Sequence, residues 1–262
     1  MHFKREHIIG LLKRVSEFAS DNLEILSKVG IDVNDEFDST YVGMIVRQHT
    51  ITTDLKLLFS NKKSNTLTSE LVLFRCLVDD FIHLTFIFNQ ADKNEQILNL
   101  NGDAISKNLN KLSELAIFNE EKLNGSYPYY PTRQLIEEIK EKIKKAPNRQ
   151  QYIINQEDLK FRTFKSTGNL IRSLDNSDYT HSLIRAYFIW RKLSDFVHYS
   201  NFSYEEEQQL DPTKDNTYTE FAEIISYSYK TVLHSLVHFS DKYGIEIKDR
   251  HNLKTYYKDA GH

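Results

Sequence analysis

One segment constrains the fold of this chain more than any other. Across residues 67–90 run Leu71, Leu73, Phe74, Leu77, Val78, Phe81, Ile82, Leu84, Phe86 and Ile87, with apolar side chains on nearly every side of a helical projection. A helix that is apolar all round has to be enclosed, so the rest of the chain must supply helices long enough to wrap it. Such helices are predicted. Ile8, Leu11, Leu12, Val15, Phe18, Ala19, Ile25, Leu26 and Val29 recur at helical spacing, with Gly30 as a C-terminal stop. Further helices are predicted over 39–59, despite the β-branched Thr50, Thr52 and Thr53, over 178–199, and over 217–243. The last opens on the capping-box pattern Thr217-Tyr218-Thr219-Glu220. With only 8 Gly and 4 Pro, the chain has too few turn residues for an all-β fold. The expected fold class is all-α, a multi-helix bundle with long central helices and a peripheral irregular insertion.

Between the central helices, another helix extends to Leu123 with an interruption near Gly102. The stretch Gly125-Ser126-Tyr127-Pro128-Tyr129-Tyr130-Pro131 cannot stay helical and is the clearest break. Its Tyr127, Tyr129 and Tyr130 read as a packed loop or a contact surface. A charged surface helix follows over 135–145, with Glu138/Lys142 and Glu141/Lys145 at four-residue spacing. Residues 148–165 read as irregular, and a short helix covers 167–174. The stretches 60–66 and 203–216 read as loops, and the chain from 246 onward as loosely held. Residues 1–262 are expected to form a single helical domain, with 125–165 as a peripheral insertion within it.

The formal charge of −3 argues against grip on nucleic acid by bulk electrostatics, though not against an enzyme that holds one or two phosphates locally. The single cysteine, Cys76, excludes a disulfide framework and reads as a small core residue. Met1-His2-Phe3-Lys4-Arg5-Glu6 lacks the apolar stretch of a signal peptide, and no window approaches the roughly 20 apolar residues of a membrane span. A cytoplasmic protein without a membrane association is expected.

The chemistry is concentrated in two stretches that align by eye. One is Arg75-Cys76-Leu77-Val78-Asp79-Asp80-Phe81-Ile82-His83, and the other is Arg191-Lys192-Leu193-Ser194-Asp195-Phe196-Val197-His198. On a continuous helix, seven residues come within roughly 20° of two turns, which would place Arg191 and His198 on one stripe about 10.5 Å apart. Asp195 would lie one turn from Arg191 and could pair with it. A guanidinium can hold a phosphate in a bidentate fork, while an imidazole titrates near neutral pH and can move a proton. In RNA the 2′-hydroxyl supplies the nucleophile, so such a pair needs no metal. The eight-residue spacing of Arg75 and His83 leaves them about 80° apart, and Arg75 is expected to pair with Asp79 inside the bundle. A second reading of the Arg191-Asp195-His198 stripe is a buried polar network that locks helices together.

Arg-x6-His late in a long helix resembles the Arg-x(4–6)-His signature of the HEPN superfamily, helical proteins that include toxin and antiphage ribonucleases. The paired pattern of Glu70, Arg75, Asp79 and Asp80 early, and Tyr187, Arg191, Ser194, Asp195 and His198 late, is similar to bacterial helical proteins placed near that superfamily. The resemblance implies a metal-independent endoribonuclease acting in toxicity or antiphage defence. It assigns phosphate binding to Arg191 and acid/base work to His198, with Asp195 beside them and Arg75, Asp79, His83, Tyr187 and Ser194 in support. It further implies RNA as substrate, no cofactor, a homodimer or larger assembly with a composite site, and an antitoxin or sensor protein as partner.

Two other classes stay open. One is a non-catalytic helical interaction or assembly protein. The other is a di-metal bundle enzyme built on Asp80-x-x-His83 and Asp195-x-x-His198, with Glu70 and Glu223 as extra carboxylates and His234 and His238 at ligand spacing. The shorter reach of Asp, and the lack of a clear four-carboxylate inventory, count against the metal centre.

Overall fold

A computed structural model describes residues 3–32, 34–61, 67–175, 177–197, 205, 215–250 and 253. The fold is all-α, and the chain divides into two compact units. The first comprises 1–89 and 167–262, and the second comprises 90–166. The second unit therefore takes in the helix that precedes the Pro-rich break as well as the stretch 125–165.

In the first unit, α1 (Arg5–Val29) ends on Gly30, whose left-handed φ of 74° suits a residue without a side chain. α2 (Glu36–Ser60) starts on an Asp35 cap that accepts hydrogen bonds from the Phe37 and Asp38 amides. Its threonine-rich middle stays helical. Thr50 and Thr52 donate their hydroxyls to the carbonyls one turn back, at 2.9 and 2.7 Å. α3 (Thr68–Phe88) is the apolar helix picked out above, and it packs on α2, α6 (Thr167–Arg172), α7 (Asp178–Asp195) and α8 (Asp215–Tyr243).

Aromatic pairs hold α3 to α8. Phe74 stacks on Phe221 with centroids 4.5 Å apart, Phe81 stacks on Tyr227 at 4.3 Å, and Phe59 of α2 closes on Phe74 at 5.9 Å. α8 opens at Asp215, so Thr217 of the capping-box pattern stands inside the helix and not at its start. The segment that follows α8 is strapped down over the residues described. Arg250 forks onto Asp21 at 2.6 and 2.8 Å, Tyr229 donates to Asp249 at 2.7 Å, and the Lys248 amide donates to Asn22 at 3.0 Å.

The second unit is built from α4 (Lys93–Lys122), α5 (Arg133–Lys145), a 3₁₀ turn (Pro147–Tyr152) and a short antiparallel hairpin of β1 (Ile153–Asn155) and β2 (Lys160–Phe161). The expectation of irregular chain over 148–165 is thus corrected. Leu109, Tyr152 and Phe161 form its buried core, so two aromatic side chains anchor the turn and the hairpin onto α4. α4 is not interrupted at Gly102. The glycine is there because the Arg162 backbone crosses at that point, and an added Cβ would lie 2.9 Å from the Arg162 Cβ and 3.2 Å from its carbonyl oxygen. Gly102→Ala is therefore expected to destabilise this unit by about 1–3 kcal/mol despite the better helix propensity of alanine. Urea unfolding checks this, because a propensity effect alone would raise the midpoint. No helix among the described residues is long and apolar enough to cross a membrane.

Candidate functional site

Twelve of the 21 residues of α3 are buried. Of its half-buried positions, Val72, Arg75, Cys76, Asp79 and His83 fall on one strip, while Leu73 and Phe88 lie off it, so the titratable groups of the early Arg…His stretch share one partly open flank of the helix. Cys76 belongs to this flank and lies within reach of the Arg47 guanidinium, so it is not the enclosed core residue expected from its apolar neighbours.

Arg75 does not pair with Asp79. Its Nε donates to the Ser194 hydroxyl of α7 at 3.1 Å, and its guanidinium lies 4.8 Å over the Trp190 ring. Ser194 in turn donates to the Trp190 carbonyl at 2.7 Å, and Tyr187 stacks on Trp190 with centroids 5.9 Å apart. Asp79 turns the other way. Its Oδ2 lies 3.9 Å from His83 Nδ1, and its Oδ1 lies 3.5 Å from the hydroxyl of Thr167, the first residue of α6. Thr167 Oγ1 also stands 3.2 Å from His83 Nε2. Arg75 and His83 are eight residues apart, about 12 Å along the helix, so the strip carries two separate groups. Arg75, Ser194, Trp190 and Tyr187 form one, and Asp79, His83 and Thr167 form the other. Thr167 was not singled out from the sequence, because nothing local marks it.

On α7, the late stretch is placed less completely. The helix closes at Asp195, where the Phe196 and Val197 amides bond to Leu193 and Ser194 three residues back. The regular repeat that would align positions 191 and 198 therefore stops short of the predicted end near Tyr199, and His198 lies outside the described residues. Arg191 and Asp195 are both exposed, and the ion pair expected between them is not among those of the described residues. The other arginine and the lysine of α7 are neutralised. Arg185 forks onto Glu223 at 3.1 and 3.0 Å, and Lys192 lies 3.0 Å from Glu220. Arg191 makes no hydrogen bond or ion pair among the described residues. Helical spacing places it one turn from both Tyr187 and Ser194, on the flank that holds Arg75.

The residues considered for a di-metal centre are dispersed. Glu223 is taken by Arg185 and by the Tyr227 hydroxyl at 2.6 Å. His238 binds Asp38 at 2.8 Å, and His234 stacks on Phe88 with centroids 4.2 Å apart. Glu70 is buried on α3. Among the described residues, no group of three or more His, Cys, Asp and Glu side chains is placed to hold a metal ion.

Asp80 lies on the buried edge of the strip, held by the Arg47 that also reaches Cys76. It is buried, and its Oδ2 accepts from Arg47 Nε and Gln48 Nε2, both at 2.8 Å, while Gln48 accepts from Ser228 at 2.7 Å. Burial pushes its carboxyl up to about 6, outweighing the pull of Arg47. A carboxyl raised in the fold favours the protonated form there. Its contribution to stability is full below the ordinary value of 3.8 and falls as pH rises through about 6. Relative to wild type, Asp80→Asn should gain on the order of 2 kcal/mol between about pH 4 and pH 7. Parallel unfolding curves across that range test this, and a gap that stays constant would contradict it.

Comparison with protein-family models, with curated proteins and with solved structures gave no match.

Proposed function

We propose that this protein is a metal-independent endoribonuclease of the HEPN-like kind, with Arg191 as the phosphate-binding group and His198 as the acid/base. The observation that carries the reading is the exposed guanidinium of Arg191, which has no hydrogen-bond or ion-pair partner among the described residues, on a helix whose Arg185 and Lys192 are each bound to a glutamate. An arginine without a carboxylate can take a phosphate without first breaking an ion pair. Arg75 supports it from the same flank, since its partners among the described residues are a hydroxyl and an indole face, neither of which neutralises it.

In the reaction, the 2′-hydroxyl attacks the adjacent phosphorus and loses its proton to the imidazole. The 5′-oxygen leaves, taking a proton from the imidazolium or from water, and a 2′,3′-cyclic phosphate results. Dimerisation, a toxin or defence role, and an antitoxin or sensor partner belong to the same proposal and rest on the family resemblance. Incubating the purified chain with total RNA tests it, and cleavage that survives EDTA is the expected result.

A second reading is a non-catalytic interaction protein. It is favoured by Phe188, which is 62% exposed on α7 between Arg185 and Lys192. Intact RNA in the presence of folded protein would favour this reading.

A further inference from the structure

Asp79, His83 and Thr167 are more than neighbours on a helix flank. They bring a carboxylate, an imidazole and a hydroxyl together, with the hydroxyl of Thr167 within reach of both the imidazole and, at 3.5 Å, Asp79 Oδ1. Thr167 Oγ1 lies 3.2 Å from His83 Nε2, and the opposite ring nitrogen, Nδ1, faces Asp79 Oδ2 at 3.9 Å. With its proton on Nδ1, on the Asp79 side, the ring presents a bare Nε2 to the threonine hydroxyl. The 3.9 Å approach is longer than a hydrogen bond, as such contacts often are before substrate closes on them.

The imidazole is also partly open to solvent, and a phenolic hydroxyl stands nearby. The His83 and Asp79 side chains keep 20% and 30% of their surface, so the imidazole is not sealed. Thr167 itself keeps 8%, so a reactant would approach its hydroxyl from the His83 side. Next along the chain, Gly168 lies beneath the Tyr187 hydroxyl, which would stand 3.3 Å from a Cβ at that position. That hydroxyl has no hydrogen-bond partner among the described residues, and it stands beside the peptide that follows Thr167. A hydroxyl, a base, an orienting acid and an uncommitted donor are the four parts of a covalent acyl-transfer site.

We propose that Thr167 is an activated nucleophile and that this cluster hydrolyses small activated esters through an acyl-threonine intermediate. Thr167 Oγ1 attacks the ester carbonyl carbon as His83 Nε2 takes its proton, and the Tyr187 hydroxyl donates to the carbonyl oxygen. The bond to the leaving oxygen breaks, and the His83 proton passes to that oxygen or to solvent. Water then attacks the acyl group, gives its proton to His83, and the acid departs as Thr167 Oγ1 regains a proton. Asp79 acts through His83 as a positioning residue. The proposal goes beyond the ribonuclease reading and uses neither Arg191 nor His198, so each can fail without the other.

The test is p-nitrophenyl acetate with the full chain, following nitrophenolate release and mapping acetylated peptides by mass spectrometry. The expected result is an acetyl group on Thr167, retained in Thr167→Ser and lost in Thr167→Val. Acetylation should slow about 10²-fold in His83→Gln. Asp79→Ala should slow it as well, and Asp79→Glu should recover part of the loss. Absence of acetyl on Thr167 in the folded wild-type chain would overturn the proposal. So would an equal rate of labelling in His83→Gln, which would leave the cluster as a staple of α6 onto α3.

Discussion

Arg191→Ala is expected to lower RNA cleavage by about 10³-fold while leaving the unfolding midpoint within experimental error of wild type. The two halves of this result have separate causes. The guanidinium makes no ion pair or hydrogen bond among the described residues, so removing it leaves no buried group unsatisfied. Its loss is felt only when an anion occupies the site, where a charge-assisted fork on a phosphate whose charge grows toward the transition state contributes several kcal/mol. Arg191→Lys keeps the charge and loses the fork, and should recover only part of the rate. Arg185→Ala is the control. Its partner Glu223 is already held by Tyr227, and cleavage should be nearly unchanged. Single-turnover rates with a short RNA, beside thermal melts of each variant, check the set.

The second large effect concerns the fold. Asp38 has no exposed surface, and its carboxylate gathers three donors from the end of α8. His238 Nε2 lies at 2.8 Å and Lys242 Nζ at 2.9 Å, and the Tyr243 hydroxyl makes a short hydrogen bond. Lys242 also reaches Asp35 at 3.0 Å, and His238 stacks on Tyr41 at 4.3 Å, so one carboxylate ties the start of α2 to the end of α8. Burial alone would raise this carboxyl, but the hydrogen bonds from Tyr243, His238 and Lys242 outweigh it and hold it below 3.8. Asp38→Ala is expected to cost about 3 kcal/mol, because the donors are left without their acceptor. The Lys242 side chain is 37% exposed, and this solvent contact keeps the cost at the lower end for a buried pair. Because the folded value is depressed, the stabilisation is present above the ordinary carboxylate range and is lost as pH falls through the folded value. Guanidinium unfolding near neutral pH should show a lower midpoint with an unchanged slope for Asp38→Ala. The penalty should shrink in acid.

The bundle was legible because burial writes itself into local spacing. The all-round apolar face of α3, the one-sided face of α1 and the stop at Gly30 are each properties of a short window. The hairpin over 153–161 was not. Its strands are two and three residues long, too short for an alternation to register, and it is held by Tyr152 and Phe161, whose partner Leu109 lies on another element.

The candidate site divides in the same way. The groups on α3 and α7 were visible from composition and order, but their pairing was not. The four-residue rule joins Arg75 to Asp79, yet the arginine found Ser194 and Trp190 of α7, and the acid found Thr167 of α6 beside His83, the next four-residue neighbour on its own helix. Thr167 meets His83 across 84 residues of chain, and Asp38 meets His238 across 200. Helical periodicity says which side of a helix a residue occupies and is silent about what stands opposite. It also carries no warning of where a helix stops, which is why the Arg191–His198 stripe was drawn past the Asp195 end of α7.

The most direct measurement is the chemistry of the ends left on an RNA cut by the wild-type chain in excess EDTA. A 2′,3′-cyclic phosphate on one fragment and a 5′-hydroxyl on the other, both absent with His198→Ala, is the predicted result. RNA that stays intact beside folded protein, or scission that stops when divalent ions are removed, would contradict it.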